Sequence, residues 1–211
     1  MRITIFYIIC FIICQLSQSC NSSFTPKPKG YFKIDFPERG YQVFNEPGFP
    51  YSFEYPTYAS ISKEMDSSGQ QPYWLNVEFK DFAGRIYLSY KSINGYSVYK
   101  LKSGDGYRDS LVKNSFESLR DEAFSLTYKH TIKASGIVDS FFNPAKGYAG
   151  IYFYVEGNAA TSKQFFITDS VQHFLRGALY FDATPNQDSI GVVSEFLDAD
   201  VKHLINTLRW K

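Results

Sequence analysis

Leu75-Asn76-Val77-Glu78-Phe79-Lys80-Asp81-Phe82-Ala83-Gly84-Arg85-Ile86-Tyr87-Leu88-Ser89-Tyr90 carries the clearest structural signal in this chain. Successive side chains of a strand point to opposite faces, so Leu75, Val77 and Phe79 share one face while Asn76 and Glu78 share the other. Ile86, Leu88 and Tyr90 repeat the pattern after the turn at 80–84. Two alternating runs joined by a short, Gly-containing turn predict an antiparallel hairpin.

On the N-terminal side, Tyr31–Phe36 alternates and stops at Pro37, and Tyr51–Tyr55 alternates and stops at Pro56. On the C-terminal side, Val112, Phe116, Leu119, Ala123 and Leu126 form one apolar stripe at helical spacing. Asp109 or Ser110 is the expected cap, with Lys113 and Glu117 paired on the wet side. Strands are expected at Thr131–Val138, Gly150–Val155, Gln164–Thr168 and Phe174–Phe181. A second helix carries Ile190, Val193, Leu197, Val201, Leu204 and Leu208, capped by Asp188. The order strands, helix, strands, helix predicts the α+β class, an antiparallel sheet with two main helices packed on it. This arrangement resembles the PsbP/Mog1-like sandwich, a likeness of fold that implies no shared function.

Composition narrows the class of protein. Hydrophobic residues at 44% and charged residues at 20% describe a globular chain, not a disordered one. Twenty Phe and 17 Tyr point to rings packed across sheet faces. Lys and Arg number 22 against 21 Asp and Glu, without the basic excess expected of a nucleic-acid binder.

Residues 1–19 differ from the rest. Arg2 is their one charge, and the apolar run Ile3–Ile13 is shorter than the ~20 residues a membrane-spanning helix needs. It matches the core of a secretory signal. Gln15-Leu16-Ser17-Gln18-Ser19-Cys20 resembles a bacterial lipobox, with small Ser19 directly before Cys20. The usual large aliphatic, three places before the Cys, is replaced by Ser17, with Leu16 one place further back. Cleavage there would leave Cys20 to carry the lipid. Cys10 and Cys14 would leave with the signal peptide, so no disulfide is expected. Residues 20–30 read as a lipid-anchored tether, kept extended by Pro26 and Pro28, and residues 31–211 as a single α+β domain. Asn21-Ser22-Ser23 lacks the acidic cluster that tags surface lipoproteins in some lineages, so a periplasm-facing position is expected.

Catalytic and metal signatures are weak. His130, His173 and His203 match no metal-ligand spacing. His130 and His173 can meet if they lie on neighbouring strands, with Asp139 or Asp169 as further ligands; the plainer expectation is two half-buried rings bonded to backbone. His203 is expected to pair with Asp200, one helical turn away. Ser170, His173 and Asp169 are close in sequence, but a triad is a spatial arrangement and no nucleophile elbow is present. Arg176 interrupts the apolar strand Phe174–Phe181, where a charge needs a partner. Asp169 or Glu156 is the expected one, and a contact to another protein is the functional alternative. Tyr96, Tyr99, Tyr107 and Tyr148 can serve packing or a binding surface.

Five stretches together carry a family resemblance: residues 28–37, residues 50–56, residues 128–134, residues 168–181 and the terminal Arg209-Trp210. The set resembles the gliding-motility lipoprotein GldD family over nearly all of the chain beyond residue 26. The resemblance implies an envelope lipoprotein required for gliding and for the associated type IX secretion machinery, held to the membrane by a lipid on Cys20. It implies no enzymatic activity, catalytic residue, metal or cofactor, and partners that are other envelope proteins. The alternative is an envelope glycan-binding module built on exposed aromatic rings.

Overall fold

The hairpin expected at residues 75–90 is present, and it lies inside a larger sheet. The computed structural model describes residues 33–63, 72–104 and 106–211. The expected signal peptide, Cys20 and the tether lie outside the described residues. The strands in chain order begin with β1 (Tyr41–Phe44), β2 (Tyr51–Pro56), β3 (Ser60–Lys63) and β4 (Leu75–Phe79). Next come β5 (Gly84–Ser92), β6 (Tyr96–Ser103) and β7 (Gly106–Lys113). After helix α1 (Phe116–Tyr128) come β8 (Ala134–Phe142), β9 (Ala149–Gly157), β10 (Thr161–Thr168) and β11 (His173–Phe181). Helix α2 (Gln187–Thr207) and the short β12 (Arg209–Trp210) end the chain. Residues Asp35–Lys211 form one compact unit. Among the described residues, no helix is long and apolar enough to cross a membrane.

Seven strands make one antiparallel sheet in the order β3-β4-β5-β11-β10-β9-β8. The early hairpin supplies β4 and β5, with Leu75 opposite Leu88 and Val77 opposite Ile86. The late hairpin β10-β11 pairs Phe165 with Gly177, and β11 closes onto β5 over nine residues. β1, β2 and β12 form a second small sheet, and β6 and β7 form a two-stranded one.

Alternation then builds two cores. On one face, Leu88, Phe165, Ile167, Leu175 and Leu179 pack with Leu197, Val201 and Leu204 of α2 and with Phe44, Tyr51 and Phe53 of the small sheet. On the other, Phe153, Phe166 and Phe174 pack with Leu119 and Ala123 of α1. Each fully buried Leu or Phe contributes about 1.5–3 kcal/mol relative to leaving it in water. The protein is therefore α+β, antiparallel sheet with two main helices, as its periodicity predicts.

The first helix begins later than its apolar stripe suggests. Val112 belongs to β7, and so does Lys113, which therefore cannot pair with Glu117 along a helix. The cap is Ser115: its hydroxyl accepts from Ser118 N–H at 3.1 Å, and Ser118 Oγ accepts from Ser115 N–H at 3.0 Å. This reciprocal capping box satisfies two otherwise orphan donors. The spacing of Val112 imitates one further helical turn, while its real period is that of a strand. Asn186, not Asp188, caps α2, accepting from Asp188 N–H at 3.1 Å. Residues 129–132 form a 3-10 turn and β8 starts at Ala134, so His130 and Thr131 are not in a strand. Residues 33–36 are also not extended in a sheet.

Two glycines explain how the sheet accommodates its rings. A Cβ on Gly177 would lie 2.2 Å from the Phe165 ring, and one on Gly150 would lie 2.2 Å from Phe166 O and 2.4 Å from Phe142 Cζ. In each case an aromatic ring lies across the glycine opposite it. Gly177→Ala is expected to destabilise the fold by about 1–3 kcal/mol through overpacking. Adding Phe165→Leu should recover part of that loss, a coupling of about 0.5–3 kcal/mol in a denaturant double-mutant cycle. Strict additivity of the two changes would contradict the ring-over-glycine contact.

Candidate functional site

The candidate residues of the strand β11 separate by parity. His173 shares a face with Leu175 and Leu179, toward α2. Its Nδ1 meets the Tyr90 hydroxyl at 2.8 Å, and its ring stacks on Trp210 at 4.9 Å and 11°. Arg176 and Tyr180 point to the opposite face. His130 meets the Tyr180 hydroxyl there, Nε2 at 3.2 Å. The sheet therefore separates His130 from His173, and no joint site forms. Asp139 is exposed on β8. Among the described residues, no three His, Cys, Asp or Glu side chains gather as a metal site.

Asp169, Ser170 and His173 do not form a triad. The Asp169 Oδ1 accepts the N–H groups of Val171, Gln172 and His173 at 3.0, 2.8 and 2.8 Å. Burial pushes this carboxyl upward, but the three N–H donors and the nearby His173 leave it below the usual carboxylate range. Ser170 is exposed with φ of 62°, the left-handed geometry of a tight turn. The motif holds the β10-β11 hairpin closed. Close sequence spacing, which suggests chemistry, here reflects turn construction.

His203 pairs with Glu54, Nε2 to Oε2 at 2.7 Å, and stacks on Tyr41 at 3.5 Å. The expected partner Asp200 is instead buried, its side chain 0% exposed. It accepts from the Tyr41 hydroxyl at 3.0 Å and the Tyr58 hydroxyl at 2.5 Å, with Arg39 Nε at 3.5 Å. Burial, with the Asp200 bond second, pushes the Tyr41 phenol up to about 12. Asp198 has a similar setting, with the Tyr152 hydroxyl at 2.7 Å and Lys202 Nζ at 2.6 Å. These two buried carboxylates join α2 to β9, to β1 and to the turn between β2 and β3; sequence reasoning gave Asp198 no role and expected Asp200 on the helix surface. Their one signal was adjacency to the apolar positions Leu197 and Val201.

Arg176 has neither expected acidic partner. Its Nη2 donates to Gln164 Oε1, which also accepts from Thr127 Oγ1 at 3.1 Å. Glu156 is exposed and Asp169 is spent on the turn. Burial pulls the guanidinium below its ordinary value, against Tyr180 and Glu122 nearby. An Arg in such a position stays charged.

The surface feature that stands apart is the β6-β7 ribbon. Among the described residues its strands pair with each other alone, over eight residues each, a length of roughly 27 Å. Asn114 fixes its base, donating from Nδ2 to Ser92 O at 3.0 Å and from its N–H to Gly95 O at 2.8 Å. Tyr99 ties one face to Glu122 and Lys91, at 3.0 and 3.1 Å. The other face carries Tyr96, Tyr107 and Leu111, which are 64%, 74% and 66% exposed. Lys100, Lys102 and Lys113 share that face with a single acid, Asp109. Of the tyrosines singled out in the sequence, Tyr96 and Tyr107 are thus at the surface. Tyr99 and Tyr148 are half-buried, with Tyr148 beside Trp210.

Burial lowers the proton affinity of His173, against a smaller opposing pull from Asp169. Burial and the Arg176 charge lower that of His130. Unfolded histidine titrates near ~6.5. Below that pH the unfolded chain takes up protons that the folded protein resists, so stability must fall on acidification. The denaturant midpoint is expected to drop between about pH 7.5 and about pH 5.5. His173→Gln, which still meets the Tyr90 hydroxyl, should flatten the drop. A wild-type midpoint that does not move would contradict this.

No curated protein matches the sequence. Among solved structures, the solution structure of cyanobacterial PsbP (CyanoP) from Synechocystis sp. PCC 6803 is similar over 93% of this chain and 99% of that one. The identity is 10% and the TM-score 0.41. The family model for the gliding motility lipoprotein GldD matches residues 21–210, nearly the whole chain. The chain belongs to the gliding motility lipoprotein GldD family.

Proposed function

We propose that this lipoprotein is a non-catalytic contact protein of the cell envelope, required for gliding and for the associated type IX secretion machinery. A lipid on Cys20 holds it to the membrane on the periplasmic side, and the β6-β7 ribbon docks on another envelope protein. The observation that carries this reading is the ribbon itself. A two-stranded ribbon with open edges and exposed apolar side chains is a template for pairing with another chain. Three lysines around Tyr96, Tyr107 and Leu111 favour a partner with an apolar centre and an acidic rim. Confinement to the membrane raises the local concentration of both proteins, so modest affinity suffices.

Glycan binding draws less support. Tyr96 and Tyr107 are largely exposed on the ribbon, and Leu111 on the same face offers nothing to a sugar hydroxyl.

Tyr107→Glu combined with Leu111→Glu places charge on the outer face and touches no core residue. Exposed positions of this kind alter stability by about 0.5 kcal/mol or less. The double variant should reach normal levels, keep its denaturant midpoint, lose its envelope crosslinks and abolish gliding. Normal gliding in that strain would count against the ribbon as the docking element. Cys20→Ser should lose labelling by a palmitate analogue and leave the membrane fraction. Continued labelling of the serine variant would contradict the anchor assignment.

A further inference from the structure

Arg176 is a half-buried cation in an otherwise buried strand, and its surroundings among the described residues are incomplete. Buried charges are ordinarily paired and fully hydrogen-bonded, and a guanidinium carries five N–H donors. Here Gln164 Oε1 takes one donor and the Tyr180 phenol a second, which leaves the others for a partner from outside. Glu122, the acid whose charge reaches Arg176, is committed elsewhere. Lys91 Nζ holds its two oxygens at 2.9 and 2.8 Å, and the Tyr99 hydroxyl holds one at 3.0 Å. Among the described residues, no carboxylate is in ion-pair contact with Arg176. Gln164 is itself fully buried, and turning its oxygen to Arg176 leaves its Nε2 without a partner. The local structure thus spends a buried amide on orienting the guanidinium.

Arg176 lines a cavity of 190 Å³ between α1 and the seven-stranded sheet. Trp74, Tyr87, Phe174 and Leu126 supply its apolar walls. A cavity of ~150 Å³ accepts one benzene ring. We propose that this cavity binds a small monocarboxylate whose apolar body is about one ring in size, with its carboxylate on Arg176. Planar carboxylates match the guanidinium fork, which offers two parallel N–H donors. A phosphate dianion is disfavoured, because Lys91 is already paired and Glu122 in the same wall repels a second negative charge. The combination of apolar walls with one fixed polar group is that of a small-ligand site.

Phenylacetate is a suitable probe, with phenylacetamide as its uncharged counterpart and inorganic phosphate as the competing anion. The chain has two tryptophans, of which Trp74 lines the cavity and Trp210 packs against His173 on the other face. Titration of the full chain with phenylacetate, followed through the two indole N–H signals by NMR, should shift Trp74 saturably and leave Trp210 in place. Phenylacetamide and Arg176→Gln should each weaken binding by about tenfold or more, as expected for a lost charge-assisted hydrogen bond. Leu126→Phe enlarges a half-buried wall residue of the cavity and keeps Arg176, so it should also abolish the shift with the denaturant midpoint retained. This second variant keeps the test decisive if Arg176→Gln does not fold. Absence of a saturable Trp74 shift in the wild-type protein would overturn the proposal. So would equal binding of phenylacetamide, or displacement of phenylacetate by phosphate at comparable concentration.

Discussion

Burial of β10 and β11 on both faces is the constraint on which the rest of the structure depends. An antiparallel sheet commonly leaves one face in water. Here Phe165 and Ile167 face α2 while Phe166 and Phe174 face α1, so neither side of the central hairpin is wet. Both helices are needed to complete the core. The small sheet β1-β2-β12 extends the cover beside α2, bringing Phe44, Tyr51 and Phe53 onto the same cluster. Removing either cover would expose a row of aromatic rings.

Two-sided burial dictates how polar groups behave. Thr168 Oγ1 donates to His173 O at 2.6 Å, and Thr161 Oγ1 donates to Leu179 O at 2.7 Å. Asp198 and Asp200 accept tyrosine hydroxyls from residues far away in sequence. Each such bond contributes about 0.5–1.5 kcal/mol when made, and more when the acceptor is charged. Leaving either group unpaired in the interior would cost more than the bond contributes. The carboxylates therefore act as pins between α2 and the layer it covers. Arg176 departs from this pattern, because among the described residues it meets Gln164 and Tyr180 and no carboxylate.

The ribbon obeys the opposite rule. It lies outside the two cores, and among the described residues it is tied down at its base, through Asn114 and the Tyr99–Glu122–Lys91 cluster. An element that buries little of its own surface contributes little to folding, so its exposed Tyr107 and Leu111 have no structural explanation within the monomer. Lys91 and Glu122 belong both to this base and to the wall of the Arg176 cavity. The two features most open to outside partners thus share a pair of side chains.

The amino-acid sequence determined the α+β class, the central hairpins and the family. Alternation and helical spacing are local, and they survive in any chain whose buried positions repeat at periods of 2 or 3.6. Leu75–Tyr90 and the α2 stripe were legible for that reason, and the peculiar segments 168–181 and Arg209-Trp210 carried the family likeness without any chemistry. Tertiary structure alone decided the rest. Val112 fits both a helical and a strand period, and only pairing with Ser97 assigns it to the ribbon. His130 and His173 fall on opposite sides of the sheet because β11 alternates, a fact that depends on which strand each ring leans against. Asp200 looks like a solvated helix residue until Tyr41 and Tyr58 arrive from the other end of the chain. Partner choice, burial and face are properties of packed layers, and no local period encodes them.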